Sequence, residues 1–168
     1  MALHLPTGRH LSPALETQDN QQRIDVQPVL RTTRFGEIPI DHARIFDFPD
    51  GLLGFPDAKH FLAMDVDDDP DMYWLQCVDD GALAFLAISP WQYFPEYEPD
   101  IDENEQRALE LDQADDATVL CLLTVDRDAD LITANLLGPL VLNTAAKRGR
   151  QVVLADVRWP ISARLGSA

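Results

Sequence analysis

The sequence has little of what several common protein classes require. Its only two cysteines, Cys77 and Cys121, lie 44 positions apart in apolar surroundings and form no C-x-x-C pair. A metal knuckle or a redox pair is therefore not expected, and a reduced cytoplasmic protein without a cofactor is the simplest interpretation. The chain also has no G-x-G-x-x-G or G-K-[ST] phosphate loop and no nucleophile elbow around Ser89. We therefore expect no enzymatic activity.

Long hydrophobic runs are missing as well. Pro6, Gly8 and Pro13 interrupt the N-terminal stretch where a signal peptide needs an unbroken apolar segment, and no later run approaches the roughly 20 residues of a membrane helix. The sequence therefore predicts neither export nor membrane anchoring.

Residues 1–28 are rich in Gln, Pro, Asn and Asp without periodicity. We expect a poorly ordered N-terminal extension over 1–28, one folded domain over 29–160 and a C-terminal tail over 161–168.

Positive charge is scarce. The chain carries 13 Lys and Arg against 29 Asp and Glu, a net charge of -16, and between residues 65 and 116 there are 17 acids and the single base Arg107. Such a field repels phosphate backbones, so we expect no direct nucleic-acid binding, and it attracts basic protein partners. The plainer alternative is a solvated acidic surface that only keeps the protein soluble.

The one cationic cluster of the domain, Lys147–Arg150, is interpreted as a surface turn at Gly149 rather than as a phosphate site.

Short apolar runs separated by turn residues predict a mainly β fold. Two runs, ALAFLAI and TVLCLLTV, are apolar on both faces, as in strands covered on both sides. One segment departs from this pattern, because Asp102 is suited to cap a helix from about Glu103 to Leu111, with Glu105 returning a bond to the N–H of the cap. We predict an antiparallel β-barrel-like single domain with one short helix. Its nine candidate strands are 33–38, 44–48, 60–65, 73–78, 83–88, 117–125, 131–136, 140–144 and 151–154.

The acidic run DVDDDPD, residues 65–71, is similar in composition to a calcium-binding loop. Asp65, Asp67 and Asp69 match the first ligand positions of a calcium-binding loop. However, Pro70 stands where the loop needs glycine, and Gln76 stands where it needs a bidentate glutamate. A solvated turn is therefore expected.

Two further stretches are unusual in composition. FPDGLLGFPD, residues 48–57, repeats Phe-Pro-Asp at a period of seven, and its prolines and glycines predict two successive bends with both phenylalanines available to bury. SPWQYFPEYEP, residues 89–99, holds four aromatic residues and three prolines. This second stretch, called here the aromatic loop, predicts a stiff hydrophobic loop that lies on the barrel. The sequence indicates backbone geometry, not catalysis, at 48–57.

Several motifs occur in collinear order over residues 33–160. They are RFGEI at Arg34–Ile38, FPDGLLGF at Phe48–Phe55, YWLQ at Tyr73–Gln76, VDD at Val78–Asp80, LAF at Leu83–Phe85, YEP at Tyr97–Pro99, TANLLGPLVLNT at Thr133–Thr144 and RGRQVVL at Arg148–Leu154. In this pattern the chain resembles the flagellar assembly factor FliW family. Residues 1–32 precede the usual start of that family.

The resemblance implies a small β-barrel-like protein without enzymatic activity that binds flagellin near its C-terminal end and, alternatively, binds the RNA-binding regulator CsrA. In that family, a free assembly factor holds CsrA and permits translation of flagellin messenger, whereas accumulated flagellin occupies the factor and releases CsrA to repress it. The expected partners are flagellin and a CsrA-type regulator, and the free protein is expected to be a monomer. The alternatives are a small-ligand or metal-binding β-barrel protein, an acid-catalysed hydrolase, and an acidic mimic of RNA at the RNA-binding face of CsrA.

The expected contacts follow from the chemistry of these partners. CsrA-type proteins have basic faces that suit carboxylates, and the amphipathic, unfolded terminal segments of flagellin suit an apolar surface such as the aromatic loop. For Asn135 and Asn143 the alternative is a local hydrogen bond that closes a turn or bulge around Gly138–Pro139. The candidate partner-binding residues are Asp79, Asp80, Tyr93, Phe94, Tyr97, Glu98, Asn135 and Leu137.

Overall fold

The computed structural model describes residues 27–166 and the backbone of Leu3–His4. Within these residues the chain forms thirteen strands and one α-helix. The strands are β1 (Leu3–His4), β2 (Val29–Thr32), β3 (Gly36–Pro39), β4 (Ile45–Asp47), β5 (His60–Val66), β6 (Asp69–Cys77), β7 (Ala84–Ile88), β8 (Asp100–Ile101), β9 (Ala117–Asp126), β10 (Leu131–Ala134), β11 (Leu140–Asn143), β12 (Arg148–Gln151) and β13 (Ala163–Arg164). The helix, α1, spans Glu103–Ala108, and short 3-10 turns occur at His42–Arg44, Pro90–Gln92 and Ala114–Asp116.

Seven strands form a closed ring. Their order is β12-β4-β5-β6-β7-β9-β11, and the ring closes because β11 is hydrogen-bonded to both β9 and β12, while β10 and β13 extend from β9. The closure is uneven, since β7 and β9 pair only at Ala87–Leu122 and Ile88–Cys121. Strand β12 meets β4 in parallel through the single pair Arg148–Asp47. The predicted mainly β, antiparallel barrel-like fold with one short helix is confirmed, with this one parallel contact added.

Strands β9 and β11 separate two apolar clusters. On β9, Val119 and Cys121 face the outer cluster, which also contains Tyr97 of the aromatic loop and Leu109 and Leu111 after α1. Leu120 faces the inner cluster that fills the ring. On β11, Val141 faces outward and its neighbours Leu140 and Leu142 face inward. Successive side chains of a strand point to opposite faces, so a strand between two cores must be apolar throughout. This explains the continuous apolar run of β9.

Helix α1 begins as its sequence predicts. The Asp102 carboxylate accepts a hydrogen bond from the Glu105 N–H at 2.9 Å, and this cap satisfies one of the free N–H groups of the first turn. The helix ends at Ala108, one turn earlier than predicted. The Glu105 carboxylate accepts from Arg150 Nε at 2.7 Å, which is not the reciprocal cap bond that the sequence suggested.

Two of the predicted strands are wrong in their bounds, since only 36–38 of 33–38 lies in β3 and only Gln151 of 151–154 lies in β12. Within 33–38, residues 33–35 form the turn between β2 and β3, and the Thr32 hydroxyl stabilises it by accepting from the Phe35 N–H at 2.8 Å. Instead of 151–154, the strand is β12, which pairs with β11 from Arg148 onward. Val152 and Leu154 are apolar because they are buried in the outer cluster without continuing the strand.

The ends of the chain are described only in part. The predicted poorly ordered extension over 1–28 lies largely outside the described residues, although the backbone of Leu3–His4 pairs antiparallel with β8. In the predicted tail over 161–168, Ala163–Arg164 form β13, which pairs with β10. Among the described residues no helix has the length and apolar character needed to cross a membrane.

Both cysteines are buried in the structure and neither is in a disulfide. Burial raises the pKa of the Cys121 thiol to about 12 and also raises the pKa of Cys77, because a thiolate is poorly solvated in an apolar core. The two thiols are therefore held in their neutral, unreactive form in the folded protein.

Candidate functional site

The segment Phe48–Asp57, called here the 48–57 loop, is a tightly folded projection between β4 and β5. Gly51 has φ +66°, and an ideal Cβ at this position would lie 2.4 Å from the Phe55 carbonyl oxygen. Gly54 also has positive φ, at +84°. Leu52 and Phe55 exchange backbone hydrogen bonds of 3.1 and 2.8 Å. The two predicted bends are confirmed, and glycine is required at the first because both the dihedral angle and the close approach exclude a side chain.

Neighbouring elements fix the 48–57 loop from outside. The Leu53 N–H donates to Gln151 Oε1 at 2.9 Å, and the amide nitrogen of the same glutamine donates to the Gly138 carbonyl at 3.0 Å. Lys59 Nζ donates to the Pro49 carbonyl at 2.7 Å. Arg150, which also binds Glu105, pairs with Asp50 of the loop. The loop is thus attached to β12, to the connection between β10 and β11, and to α1.

The apolar side chains of the 48–57 loop are divided between core and solvent. Phe48 and Leu52 are buried in the inner cluster, but Leu53 is 60% exposed and Phe55 is 41% exposed. The prediction that both phenylalanines bury is therefore wrong for Phe55, whose ring packs edge-on against Phe85 with 5.1 Å between centroids. The loop presents two large apolar side chains to solvent from a rigid base.

A cleft of about 280 Å³ lies on each side of this projection. The first is lined by the outer part of the loop together with Asp57, Asp79, Asp80 and Leu83. The second is lined by the inner part of the loop together with Asp50, Arg150 and Gln151. The first cleft therefore carries carboxylates without an arginine or lysine in its lining, whereas Arg150 balances Asp50 in the second.

Asp79 and Asp80, both predicted as partner contacts, are exposed beside the 48–57 loop and also hold local structure. The Asp79 carboxylate accepts from the N–H groups of Lys59 and His60 at 2.8 Å each, and faces His60 Nδ1 at 2.9 Å. Partial burial opposes ionisation of Asp79, but the hydrogen bonds from His60 and Lys59 outweigh it and lower the pKa of this carboxyl below its ordinary value. Asp80 accepts from the Ala82 N–H at 2.9 Å and closes the turn before β7.

The aromatic loop lies on the barrel as predicted. Its aromatic side chains pack against the protein and are buried or half-buried. Tyr97 is 1% exposed and stacks edge-on against Trp159 at 4.9 Å. Its backbone carbonyl accepts from Trp91 Nε1 at 2.8 Å. Tyr93 and Phe94 are half-buried against the outer cluster. The Tyr97 side chain is thus not at the surface in this structure, whereas Tyr93 and Phe94 are partly accessible.

Glu98 lines a third cleft, of about 510 Å³, beside β8. Its rim carries four carboxylates, and its apolar lining includes the exposed Val153 and the buried Val152. Arg158 is the base in this lining, and it is bound to Asp156 at 2.6 Å. The carboxylates of the rim are Glu98, Asp100, Asp102 and Asp156. This cleft is acidic with an apolar floor.

Asn135 and Leu137 belong to the bulged connection between β10 and β11. Asn135 Oδ1 accepts from the Gly138 N–H at 2.8 Å, which confirms the alternative of a local turn-closing bond. Leu137 is half-buried against the outer cluster, and its carbonyl accepts from the Leu154 N–H at 2.9 Å. Asn143 is buried, accepts from two N–H groups of the following turn and donates to the carbonyls of Leu109 and Glu110 at 2.9 and 3.0 Å.

The two arginines of the cationic cluster Lys147–Arg150 are paired within the protein. Arg148 Nη1 lies 3.7 Å from Glu110, and Arg150 binds Glu105 and Asp50. The predicted turn at Gly149 is wrong, because Gly149 is inside β12 and the turn precedes it, with Lys147 at φ +54°. An ideal Cβ on Gly149 would lie 2.4 Å from Phe48 Cζ. The glycine is therefore required by close packing against the base of the 48–57 loop.

The acidic run around Asp67 is the tip of the β5–β6 hairpin. Asp68 has φ +63°, and the Asp69 carboxylate accepts from the Asp71 N–H at 3.1 Å, so the run is the solvated turn that was expected. Asp65, at its start, is bound by both Nη atoms of Arg44 at 2.8 and 3.1 Å. Within the described part of the chain, no group of three or more His, Cys, Asp or Glu side chains is placed to hold a metal ion.

The structure distributes the eight predicted contact residues over three places. Asp79 and Asp80 lie beside the 48–57 loop, Glu98 lines the acidic cleft, and the other five belong to the outer cluster or to the connection that borders it. Leu53 and Phe55 were not predicted as contacts. Their signal in the sequence was the presence of four large apolar residues in a short glycine-containing double bend, of which the structure buries Phe48 and Leu52.

The fold and its surface define a small, sheet-dominated, single-domain protein with an acidic exterior and a rigid apolar projection. The family model described as FliW protein matches residues 29–165. The chain therefore belongs to the flagellar assembly factor FliW family. It is 37% identical to a flagellar assembly factor FliW of Syntrophus aciditrophicus over 79% of this chain and 84% of that protein, and 38% identical to one of Alkaliphilus metalliredigens over 75% and 78%. A crystal structure of the flagellar assembly factor FliW matches with a TM-score of 0.76 at 34% identity, over 83% of this chain and 98% of that one.

Proposed function

We propose that this protein binds cytoplasmic flagellin and, alternatively, a CsrA-type RNA-binding regulator, without catalysing a reaction. Membership of the family places the chain among flagellar assembly factors, whose partners are proteins of flagellar assembly. The observation that carries the finer proposal is the acidic surface, because 17 of the 29 acids lie between residues 65 and 116 beside one base. An RNA-binding regulator has a basic face, and opposite charge accelerates and orients its association.

The structure supports an acidic surface that is available to a partner. Asp67 and Asp68 at the hairpin tip are exposed. Glu98, Asp100 and Asp102 on the rim of the third cleft are exposed as well. Among the described residues, the arginines that pair with acids of the 65–116 segment from outside it are Arg44, Arg148 and Arg150. The acidic surface therefore retains a large excess of negative charge.

In this proposal the protein is a monomeric switch in the cytoplasm. Free protein holds the regulator away from flagellin messenger, so translation proceeds. Flagellin that accumulates takes the protein and releases the regulator, which then represses the messenger. Because one protein serves two partners that exclude each other, the level of unassembled flagellin sets the rate of its own synthesis.

The test is competitive binding with purified components. We expect the protein to form separate complexes with flagellin and with the CsrA-type regulator, and added flagellin to displace the regulator in proportion to its concentration. Binding of the regulator is expected to weaken as salt rises from low to moderate ionic strength, since exposed charges are screened. Binding of neither partner, or simultaneous binding of both without displacement, would contradict the proposal.

A labelled flagellin messenger leader separates the two ways in which the regulator can be inhibited. If the protein mimics RNA, increasing RNA will displace it from the regulator competitively. If the protein binds the regulator away from its RNA-binding face, the regulator will release RNA, and added RNA will not displace the protein from the regulator. A matched pair of variants, Asp67→Asn with Asp68→Asn against Asp128→Asn with Asp130→Asn, tests whether the hairpin tip of the acidic segment contributes, because the second pair lies in the exposed β9–β10 turn outside that segment.

A further inference from the structure

The 48–57 loop combines a fixed backbone with exposed apolar side chains at its tip. Its backbone is fixed by internal hydrogen bonds and by contacts from Gln151, Lys59 and Arg150. At its tip, however, Leu53 and Phe55 remain exposed to water. A mobile loop can turn apolar side chains inward, but this one is held with them outward.

Such a projection is preorganised for association. A partner that covers Leu53 and Phe55 gains the hydrophobic free energy of their burial, and it orders little additional backbone on this side. Large apolar side chains at the centre of a rigid patch are also the type of residue that dominates binding energy in protein interfaces. The clefts on either side, each about 280 Å³, provide room for side chains of the partner.

The charges around the loop define the chemistry of that partner. Asp57, Asp79 and Asp80 line the cleft beside Phe55. Asp79 is already engaged by His60. Asp57 and Asp80 are exposed, and one carboxylate oxygen of Asp80 also accepts from the Ala82 N–H. Lys59 is directed back to the Pro49 carbonyl. An apolar segment bordered by lysine or arginine therefore complements the surface, whereas an acidic segment is repelled.

We propose that the 48–57 loop is the docking surface for an amphipathic segment whose apolar side chains cover Leu53 and Phe55 and whose flanking basic residues face Asp57 and Asp80. This inference rests on the proposed function, in which the partner that brings an amphipathic, previously unfolded segment is flagellin. It moves the flagellin contact from the aromatic loop, where Tyr97 is buried, to the apolar projection on another part of the ring.

The experiment compares the double variant Leu53→Ser/Phe55→Ser with a matched control, Val157→Ser/Ile161→Ser, in full-length protein. Val157 and Ile161 are 83% and 63% exposed and lie in the segment before β13. Isothermal titration calorimetry measures affinity for flagellin and for the CsrA-type regulator, and thermal unfolding confirms that each variant is folded. We expect the loop variant to weaken flagellin binding at least tenfold, a loss of about 1.4 kcal/mol, and the control to leave it within twofold.

Asp57→Lys provides a second test that leaves the apolar residues in place. Its side chain is exposed, so the substitution is expected to preserve the fold, weaken flagellin binding and reduce its dependence on salt. Unchanged flagellin affinity in both loop variants, with normal binding by the wild type, would overturn the docking site while leaving the proposed function intact. Failure of the wild type to bind flagellin would overturn both.

Two further outcomes would assign the loop to another occupant and overturn the inference. In the first, the loop variants lose the CsrA-type regulator but keep flagellin. In the second, gel filtration shows that the wild type is a dimer, the double variant is a monomer, and flagellin affinity is the same for both. Loss of flagellin together with the regulator would support the inference and show that the two partners share this surface.

Discussion

The Tyr97 hydroxyl donates a hydrogen bond to the Leu136 carbonyl at 2.7 Å, and both residues are buried in the outer cluster. This bond connects the aromatic loop to the connection between β10 and β11, two segments that are 39 positions apart in sequence. Burial also raises the pKa of the Tyr97 phenol far above its ordinary value, so the hydroxyl remains a donor throughout the accessible pH range. The aromatic loop is therefore part of the folded core, with only its edge available to a partner.

Tyr97→Phe is expected to lower the free energy of unfolding by about 1–3 kcal/mol, because the Leu136 carbonyl is left buried without its donor. Urea denaturation followed by tryptophan fluorescence measures the change. Tyr93→Phe is the matched control, since Tyr93 is half-buried at the edge of the same loop. Equal stability of the two variants would contradict a structural role for the Tyr97 hydroxyl.

Gly149→Ala is expected to destabilise the protein by about 1–3 kcal/mol through overpacking. The new methyl group would lie 2.4 Å from Phe48 Cζ and 2.7 Å from Leu142 Cδ2, so the ring or the strand must move. Gly166→Ala, where no atom lies within 4 Å of the added carbon, serves as control and should be neutral. In the double variant with Phe48→Leu, we expect a smaller loss than the sum of the single effects, because contacting residues are coupled.

Asn143→Ala is expected to cost more than Asn135→Ala. Asn143 joins the end of α1 to the turn after β11 through four hydrogen bonds, and its removal leaves buried backbone groups unpaired at about 1–3 kcal/mol. Asn135 makes the single bond that closes a local turn at Gly138. Thermal and urea unfolding of the two variants provide the comparison. A larger loss for Asn135→Ala would show that the local turn, and not the attachment of α1, dominates stability.

Asp79→Asn is expected to change how stability depends on pH. The pKa of Asp79 in the folded protein lies below its ordinary value of 3.8, so the ionised carboxylate stabilises the fold above that pH. This contribution is lost as pH falls through the lowered pKa. Between about pH 5 and pH 2, the free energy of unfolding of Asp79→Asn should therefore fall less steeply than that of the wild type. Parallel curves for wild type and Asp79→Asn would contradict the lowered pKa.

Local patterns predicted much of the architecture. The cap at Asp102, the double bend of the 48–57 loop and the hairpin turn around Asp67–Asp69 depend on residues within a few positions of one another, and each is present. The two-sided apolarity of β9 correctly indicated cover on both faces. The strand boundaries at 33–38 and 151–154 were wrong because apolar residues also occur in turns and irregular segments that pack on a core.

The candidate site was less predictable because its residues depend on distant pairing. Arg150 meets Glu105 across 45 positions and Asp50 across 100, and no local spacing indicates either pair. The exposure of Phe55 likewise depends on where Phe48 and the neighbouring strands take the available interior space. The aromatic composition of residues 89–99 correctly indicated a hydrophobic loop, but it did not reveal whether the rings face the core or a partner.

The uneven closure of the ring gives the 48–57 loop a second significance. With one residue pair between β12 and β4, and two between β7 and β9, the barrel consists of two half-shells joined along short seams. The loop follows β4 and is bound to Gln151 and Arg150 of β12. It therefore stabilises the contact between β12 and β4, which has the fewest paired residues. A partner bound to the loop would therefore stabilise the contact between β12 and β4. Its binding free energy would raise the free energy needed to open the whole barrel.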